Sequence, residues 1–460
     1  MAFVELLGTG SRDKIDGCAA SVSNGQKPAP EGDVNGTNGT ARPPPTRRLL
    51  EHSWPISDNL KHKNSENLFD WIGDRVADVV RKGCEAFSLP RDTSLPMGVT
   101  FSFPMEQSSL SEATLMEMGK GFAITSNLDL RGHLLQGYEK HRTPDLPPID
   151  VAAIANDAVS TLVSFMFQFR AKPHQKAAMG LIVGTGTNAT IPMKLSSLHQ
   201  SKWPKAISVL ENQHLEDVKI AVNTEWSINS TAPPLKRAGL ISRWDAELSA
   251  ATELPDFQPL EYMTAGRYLG ELARLIFVDY LTTVRGLSPA SFPSGLTDKF
   301  GLSTTFISFF YPGSGKGELL TQLEAQFPSK IEGSSFQWTD ELADVLFQIS
   351  RAIEVRAAGI IAAAVVGLLA CAEEIPPHQP LQNGASTNGA SKRELVVGYT
   401  GGCIQFFQNY LVDCQNFLDS ITELEFDGQS PIRVVLSPCH DGGITGAGVL
   451  VPAALASHKA

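Results

Sequence analysis

Short apolar runs alternate with longer stretches of helical periodicity along most of the chain. Runs rich in β-branched and aromatic residues predict strands at Met97–Phe103, Val151–Ala155, Met179–Gly184, Leu395–Tyr399 and Arg433–Leu436. Helical periodicity predicts helices at Val76–Phe87, Ala158–Met166, Tyr262–Tyr280 and Leu342–Leu369, and at Ala113–Met118 after a capping box at Ser109–Glu112. Strands that alternate with helices indicate an α/β protein whose ligands bind at the strand ends.

Two stretches rich in Gly, Pro, Ser and Asn interrupt this pattern. We expect residues 16–48 and 375–393 to be disordered insertions, because neither can bury enough apolar surface to offset its ordering entropy. The apolar run Gly359–Cys371 is too short to span a bilayer and predicts a buried helix, so no membrane span is expected. The start of the chain has Glu5 inside its apolar run and is unlike a signal peptide, which favours a cytoplasmic location.

Composition narrows the classes of partner. The 460 residues are 42% hydrophobic and 19% charged, as in ordinary globular proteins, and the net charge is −11. This acidic balance argues against nucleic acid as a partner, because a phosphate backbone needs a clustered basic surface. Six cysteines without paired spacing predict neither a disulfide framework nor a zinc site, and no metal ligands are assigned.

The first candidate for chemistry is the pair Asn156-Asp157, between a predicted strand and a predicted helix. A carboxylate at a helix N-terminus is favoured in its ionised form, and it could accept a proton from a substrate hydroxyl. An ordinary helix cap is the alternative interpretation of an isolated Asn-Asp pair.

Three other motifs are weaker. Gly184–Asn188 follows a strand and could hold an anion on its backbone, or it could be a plain turn. Gly313–Gly317 lacks the leading glycine and the terminal Ser or Thr of a phosphate-binding P-loop. Cys439-His440-Asp441 is expected to be a loop, because adjacent residues rarely face each other as a nucleophile and its base.

Taken in order, these motifs resemble the eukaryotic hexokinase family. The resemblance rests on Leu95–Pro104, Gly119–Phe122, Asn156-Asp157, Leu181–Asn188, Val222–Trp226, Glu261–Glu271 and Arg356–Ala358. It implies a two-lobed actin-like ATPase (ribonuclease H-like) fold, in which two α/β lobes close over a sugar. Residues 1–155 would form the small lobe, and residues 156–460 the large lobe with a C-terminal helix.

The resemblance also assigns roles to residues. Asp157 matches the general base that takes the proton from the sugar 6-hydroxyl, and Lys120 matches a second catalytic group that also contacts the sugar. The other groups that match sugar contacts are Ser102, Asn156, Asn188, Glu225 and Glu261. The glycine-rich elements that match nucleotide contacts supply Gly184, Thr185, Gly186, Gly401, Gly442 and Gly446. The implied ligands are a hexose, with glucose as the first expectation, together with ATP and Mg²⁺.

Departures from the family pattern concentrate on the nucleotide side. The first phosphate loop, an Asp-x-Gly-Gly-Thr-Asn element, does not occur in these residues, and the adenosine-side Asp-Gly-Ser is Thr400-Gly401-Gly402. Fungal hexokinase-like regulatory proteins show similar departures, and the chain resembles this subgroup in particular. Two functions therefore remain open: a hexose kinase with impaired transfer, and a sugar-binding regulator that would act through a protein partner.

Overall fold

The structure is a computed structural model. It describes residues 2–6 (backbone only), 48–57, 60, 65–116, 124, 127–204, 207, 209, 214–228, 231–312, 317–328, 336–377 and 392–457. The strands are β1 Ala2–Leu6, β2 Leu95–Phe101, β3 Met105–Ser109, β4 Glu112–Leu115, β5 Leu128–Asp129, β6 Ile149–Asn156, β7 Gln175–Val183, β8 Thr187–Lys194, β9 Lys219–Asn223, β10 Arg393–Thr400 and β11 Ile432–Pro438.

Helices fill the intervals between these strands. They are α1 Ser65–Phe87, α2 Leu130–His141, α3 Asp157–Gln168, α4 Ala232–Arg237, α5 Arg243–Ala250, α6 Pro259–Thr264, α7 Leu269–Asp279, α8 Ser294–Thr297, α9 Thr304–Phe309, α10 Glu318–Gln326, α11 Asp340–Cys371, α12 Gly402–Phe406, α13 Tyr410–Glu425 and α14 Gly442–Ser457. The five predicted strands and the helices predicted at Ala158–Met166 and Leu342–Leu369 are confirmed within a few residues, and the helix predicted from Val76 begins earlier, at Ser65.

Two sheets organise the described residues into two lobes. The first has the strand order β1-β2-β6 and is parallel throughout. The second has the order β11-β10-β7-β8-β9, with β11, β10 and β7 parallel and β8 and β9 antiparallel to their neighbours. Each sheet has its own apolar core: α1, α2 and the β3-β4-β5 hairpin sheet surround the first, and α7, α11 and α13 pack near the second.

Helices α3 and α14 lie between the two lobes. They pack closely against each other, α3 also contacts β7 and β8, and α14 lies against β1, β2 and β6 of the first sheet. Val451 and Ala454 of α14 form an apolar contact with Ala152 and Ala153 of β6. The C-terminal helix therefore packs on the sheet of the first lobe, whereas the division at residues 155 and 156 stays a prediction.

Two local predictions were wrong. The capping box at Ser109–Glu112 starts no helix, because residues 105–115 form the β3–β4 hairpin, where Ala113 and Leu115 alternate inward with 4% and 0% exposure. The helix predicted at Tyr262–Tyr280 is broken into α6 and α7. The break occurs at Gly266, whose N–H donates to Gly184 O at 2.7 Å. In both cases a long-range contact outweighs a local helical preference.

Helix α11 is the one helix of the described residues that is long and apolar enough to cross a membrane by length and composition. Half of its most apolar window is buried inside the protein. Its buried residues, among them Ile361 and Val365, belong to the core of the second lobe. The expected absence of a membrane span stays a prediction.

The two predicted insertions fall mostly outside the described residues, which omit 7–47 and 378–391. Two positions at the edges of the second insertion are ordered. Ile375 is 8% exposed in the core of the second lobe, and Arg393 begins β10 and pairs with Glu374. The bounds predicted for this insertion were therefore too wide.

Candidate functional site

The candidate site begins where β6 ends, at Asn156. Its Oδ1 accepts from Ala158 N at 2.9 Å and caps α3, and its Nδ2 donates to Phe103 O at 3.3 Å. The side chain is 3% exposed. The helix-cap interpretation is thus realised, and the same amide ties the end of β2 to the start of α3.

Three further polar residues join Asn156 from the second sheet. Asn188 Nδ2 lies 3.5 Å from Asn156 Oδ1, 2.9 Å from Asn223 Oδ1 and 3.1 Å from Glu225 Oε1. Asn223 Nδ2 donates to the same Glu225 oxygen at 2.8 Å. We call Asn156, Asn188, Asn223 and Glu225 the polar cluster. It links the two sheets through side-chain hydrogen bonds.

A tight turn presents Glu225 to this cluster. Strand β9 ends at Asn223, opposite Thr190 of β8. Both the N–H and the hydroxyl of Thr224 then donate to Ala189 O, at 3.0 and 2.8 Å. Glu225 follows with a φ of 42°, in the left-handed region that non-glycine residues seldom adopt. Residues in such conformations concentrate at functional sites, where the surrounding structure holds them.

The remaining carboxylates predicted from the sequence lie beside the polar cluster. Asp157 is the first residue of α3, directly after Asn156, and its Oδ1 accepts from Ala158 N at 3.0 Å. Glu261 of α6 is 2% exposed, and its Oε2 accepts from Thr187 N at 3.0 Å, next to Asn188. Ser102 follows β2, whose last residue pairs with Asn156. Lys120 lies outside the described residues. The sugar roles of all these groups stay predictions.

Glycines at two parallel strand ends form a second part of the site. The turn at Gly184–Gly186 follows β7, and its Gly184 N–H donates to Gly186 O at 2.9 Å. Gly401 follows β10 with a φ of 118°, and a Cβ there would lie 2.3 Å from Val183 O. Only glycine allows this approach. The backbones of two neighbouring strand ends therefore come close together, as in a glycine-rich turn.

Gly442 and Gly446 make a different contact. A Cβ on Gly446 would lie 1.9 Å from Ser160 O, and one on Gly442 would lie 3.0 Å from Thr161 Cα. Both glycines therefore permit the close crossing of α14 and α3. Their assignment to the nucleotide stays a prediction, and the contacts described here are between helices. Asp441, the residue directly before α14, forms an ion pair with Arg48 at 3.1 Å.

The other motifs yield no catalytic group. Cys439 is 5% exposed and donates to Thr161 O, and burial raises the pKa of its thiol. This state disfavours the thiolate that a nucleophile needs. Residues 313–316 of the Gly313–Gly317 motif lie outside the described residues. Among the described residues, no three His, Cys, Asp or Glu side chains group as metal ligands.

Asn223 is the site residue that the sequence analysis did not single out. One signal was present: Asn223 and Glu225 are two positions apart in the motif Val222–Trp226, a spacing that places side chains on one side of an extended backbone. A residue pattern alone does not show that Asn188, 35 positions earlier, bonds to both of them.

Comparison with solved structures defines the class of fold. A hexokinase from Schistosoma mansoni complexed with glucose superposes with a TM-score of 0.67 at 22% identity, over 88% of this chain and 79% of that one. A second hexokinase crystal structure gives 0.58 at 22% identity, over 85% and 74%. The chain therefore has the two-lobed actin-like ATPase fold that the sequence predicted.

Comparison of sequences identifies the family. Two family models described as hexokinase match residues 178–453 and 36–167. Hexokinase-1 of Nicotiana tabacum is 26% identical over 86% of this chain and 71% of its own length, and Hexokinase-2 of Arabidopsis thaliana is 27% identical over 90% and 73%. The chain belongs to the hexokinase family and is an ATP:hexose phosphotransferase of this type. Its assignment to a fungal regulatory subgroup stays a hypothesis.

Proposed function

We propose that this chain binds glucose or a related hexose at the polar cluster, with Asp157 as the general base toward the 6-hydroxyl. The observation that carries the proposal is the hydrogen-bonded group Asn156, Asn188, Asn223 and Glu225, which lies beside Asp157 at the strand ends of both lobes. Amides and carboxylates suit a sugar, because each can bond neighbouring hydroxyls.

In this site the reaction needs one proton transfer and one phosphoryl transfer. Asp157 takes the proton of the 6-hydroxyl, the freed oxygen attacks the γ-phosphorus of ATP, and the bond to the bridging oxygen of ADP breaks. The products are a hexose 6-phosphate, ADP and a proton on Asp157. The start of α3 favours the ionised form of a carboxylate, which is the form that a base requires.

The nucleotide side fits a triphosphate in part. Gly184–Gly186 and Gly401 bring backbone to two adjacent strand ends, and the α-carbon of Gly401 lies 3.5 Å from where a Cβ on Gly184 would be. These turns would hold phosphate oxygens on N–H groups. Mg²⁺, which supplies charge neutralisation when it is bound, usually relies on one or two carboxylates together with the phosphates.

We further propose that these 460 residues transfer the phosphoryl group slowly. They contain no Asp-x-Gly-Gly-Thr-Asn element, and Thr400-Gly401-Gly402 offers no carboxylate where the family has an Asp. Phosphoryl transfer depends mainly on positioning and electrostatic stabilisation of the phosphates. The loss of one preorganised donor costs roughly 10²–10³ in rate.

A sugar-binding regulator is the second candidate function. It is favoured by the contrast between the two halves of the site: the sugar-side residues are joined by hydrogen bonds, whereas Gly442 and Gly446 are used for helix packing. Such a protein would retain hexose affinity without turnover and would act through a protein partner.

Hexose binding is tested first by thermal melts of the purified chain with glucose, mannose and fructose. A ligand at a hundredfold excess over its Kd stabilises the folded state by about 2.7 kcal/mol. Asp157→Ala and Glu225→Ala should each reduce the shift, and the exposed Glu425→Ala is the matched control. Melts that none of the three hexoses moves would remove the sugar site from the proposal.

Turnover is tested by a coupled assay for the hexose 6-phosphate. A chain that binds hexose but turns over far below about 10 s⁻¹, the median for enzymes, supports impaired transfer. A rate at or above that median contradicts the impairment and leaves the hexose site standing. No turnover at all, together with hexose binding, favours the regulator.

A further inference from the structure

Two neighbouring amides donate to the same carboxylate oxygen of Glu225 at different distances. One carboxylate oxygen, Oε1, receives two amide N–H groups, from Asn223 at 2.8 Å and from Asn188 at 3.1 Å. The shorter bond comes from Asn223, only two residues away. Hydrogen bonds to a charged acceptor are about twice as strong as neutral ones, so this pair of donors fixes where Oε1 lies.

The side-chain amide of Asn188 has fewer N–H groups than it has neighbouring acceptors. Its amide nitrogen carries two hydrogens, yet three acceptors surround it, on Asn156, Asn223 and Glu225. Asn188 Oδ1 is occupied by Ala189 N at 2.8 Å. Asn188 therefore divides two N–H groups among three acceptors, and Asn223 supplies a second, shorter bond to Glu225 Oε1.

We propose that Asn223 is a positioning residue of the hexose site, which orients the Glu225 carboxylate and accepts from Asn188 at the same time. Asn223 Oδ1 accepts from Asn188, and Asn223 Nδ2 donates to Glu225. One amide therefore sets the relative position of two residues that are predicted to contact the sugar. This inference rests on the proposed function, because it assigns Asn223 to the same site.

The left-handed backbone of Glu225 also depends on neighbouring contacts. Such a conformation costs a non-glycine residue free energy and persists only where neighbouring contacts impose it. Thr224 fixes the chain before the turn through Ala189 O, and Asn223 fixes the side chain after it. Without the amide of Asn223, Oε1 of Glu225 would lose the shorter of the two hydrogen bonds from Asn188 and Asn223.

The decisive variant is Asn223→Asp. It keeps the oxygen that accepts from Asn188 but replaces the donor with a carboxylate oxygen against Glu225 Oε1. Two carboxyl groups at that distance share one proton at acid pH, as in carboxylate dyads, because the second ionisation is disfavoured by the first charge. At acid pH the shared proton restores a donor to Glu225. At alkaline pH the two charges repel and the carboxylate turns away.

The experiment is calorimetric titration of the full chain with glucose at about pH 4.5 and about pH 8, because the upper apparent pKa of a known carboxylate dyad is about 4.7. Asn223→Asp should bind within about threefold of the wild type at the lower pH and at least about tenfold more weakly at the higher one. Asn223→Ala should lose about tenfold at both. The exposed Asn416→Asp adds the same charge and should follow the wild type. Each variant is compared with the wild type at the same pH, so groups common to all the proteins do not enter the comparison.

Each contrary result is distinct. Equal loss by Asn223→Asp at both pH values would show packing damage and overturn the positioning role. Affinities of Asn223→Ala and Asn223→Asp within about threefold of the wild type would overturn it as well. A wild-type chain that binds glucose at neither pH would overturn the proposed hexose site itself, and this inference with it. Melting temperatures of the variants separate unfolding from lost binding.

Discussion

The contact between α3 and α14 predicts that Gly446→Ala lowers the stability of the protein, opposite to the usual effect of this exchange in a helix. In a helix this exchange normally stabilises by about 1 kcal/mol, because alanine has the higher helix propensity. Here the added Cβ would lie 1.9 Å from Ser160 O, 2.5 Å from Ser160 C and 2.6 Å from Ser160 Cα. All three are backbone atoms of α3, so no side-chain rotation relieves the overlap.

The magnitude follows from the overlap. Overpacking of a well-packed contact costs about 1–3 kcal/mol, and a backbone overlap of this size belongs at the upper end. After subtraction of the propensity gain, we expect a loss of about 2 kcal/mol. For a domain of 150–250 residues this corresponds to a fall in Tm of about 4–8 °C.

Helix α11 offers a matched control. Gly367 is exposed, and a Cβ there would meet nothing within 4 Å. Gly367→Ala should therefore leave the Tm unchanged or raise it slightly. Thermal melts and urea denaturation of both variants check the prediction. A Gly446→Ala protein as stable as the Gly367→Ala protein would refute the tight helix crossing.

Two further predictions concern the large lobe. Burial opposes the ionisation of Glu374, but hydrogen bonds from Lys176 and Lys219 outweigh it and hold the pKa of this carboxyl below its usual value. Glu374→Gln should destabilise by about 2 kcal/mol at neutral pH. Because the pKa of Glu374 is lowered in the folded state, the difference in unfolding free energy between wild type and variant is present above the unfolded pKa and shrinks as the pH falls through the folded pKa. Urea denaturation at neutral and acid pH measures this difference. A difference that grows in acid would contradict the prediction. Burial also raises the pKa of the Cys414 thiol to about 12 and raises the pKa of Cys403, whereas Cys371 is exposed. In a Cys18→Ser background, a thiol reagent should label Cys371 first and Cys403 and Cys414 only on unfolding; equal rates at the three would contradict this.

The sequence by itself determined the elements whose pattern is strong and local. The β-branched runs around Val151 and Leu395 became buried parallel strands, and the long periodic stretch after Asp340 became α11. Asn156 and Asp157 were recognisable as a strand end followed by a helix start. The family resemblance followed from the order of such motifs along the chain, and this order is visible in the sequence itself.

Tertiary structure decided every feature that joins distant segments. Residues 105–115 form a hairpin because their apolar positions pack into the first lobe, although the local capping box favours a helix. In the sequence, Gly446 belongs to a glycine-rich element, but the residue against which it packs, Ser160, is far away in the chain. Asn223 likewise gains its place from Asn188, 35 positions earlier. Periodicity and capping report the preferences of neighbouring residues, whereas hydrogen bonds and close packing between distant segments depend on a geometry that exists only after the chain has folded.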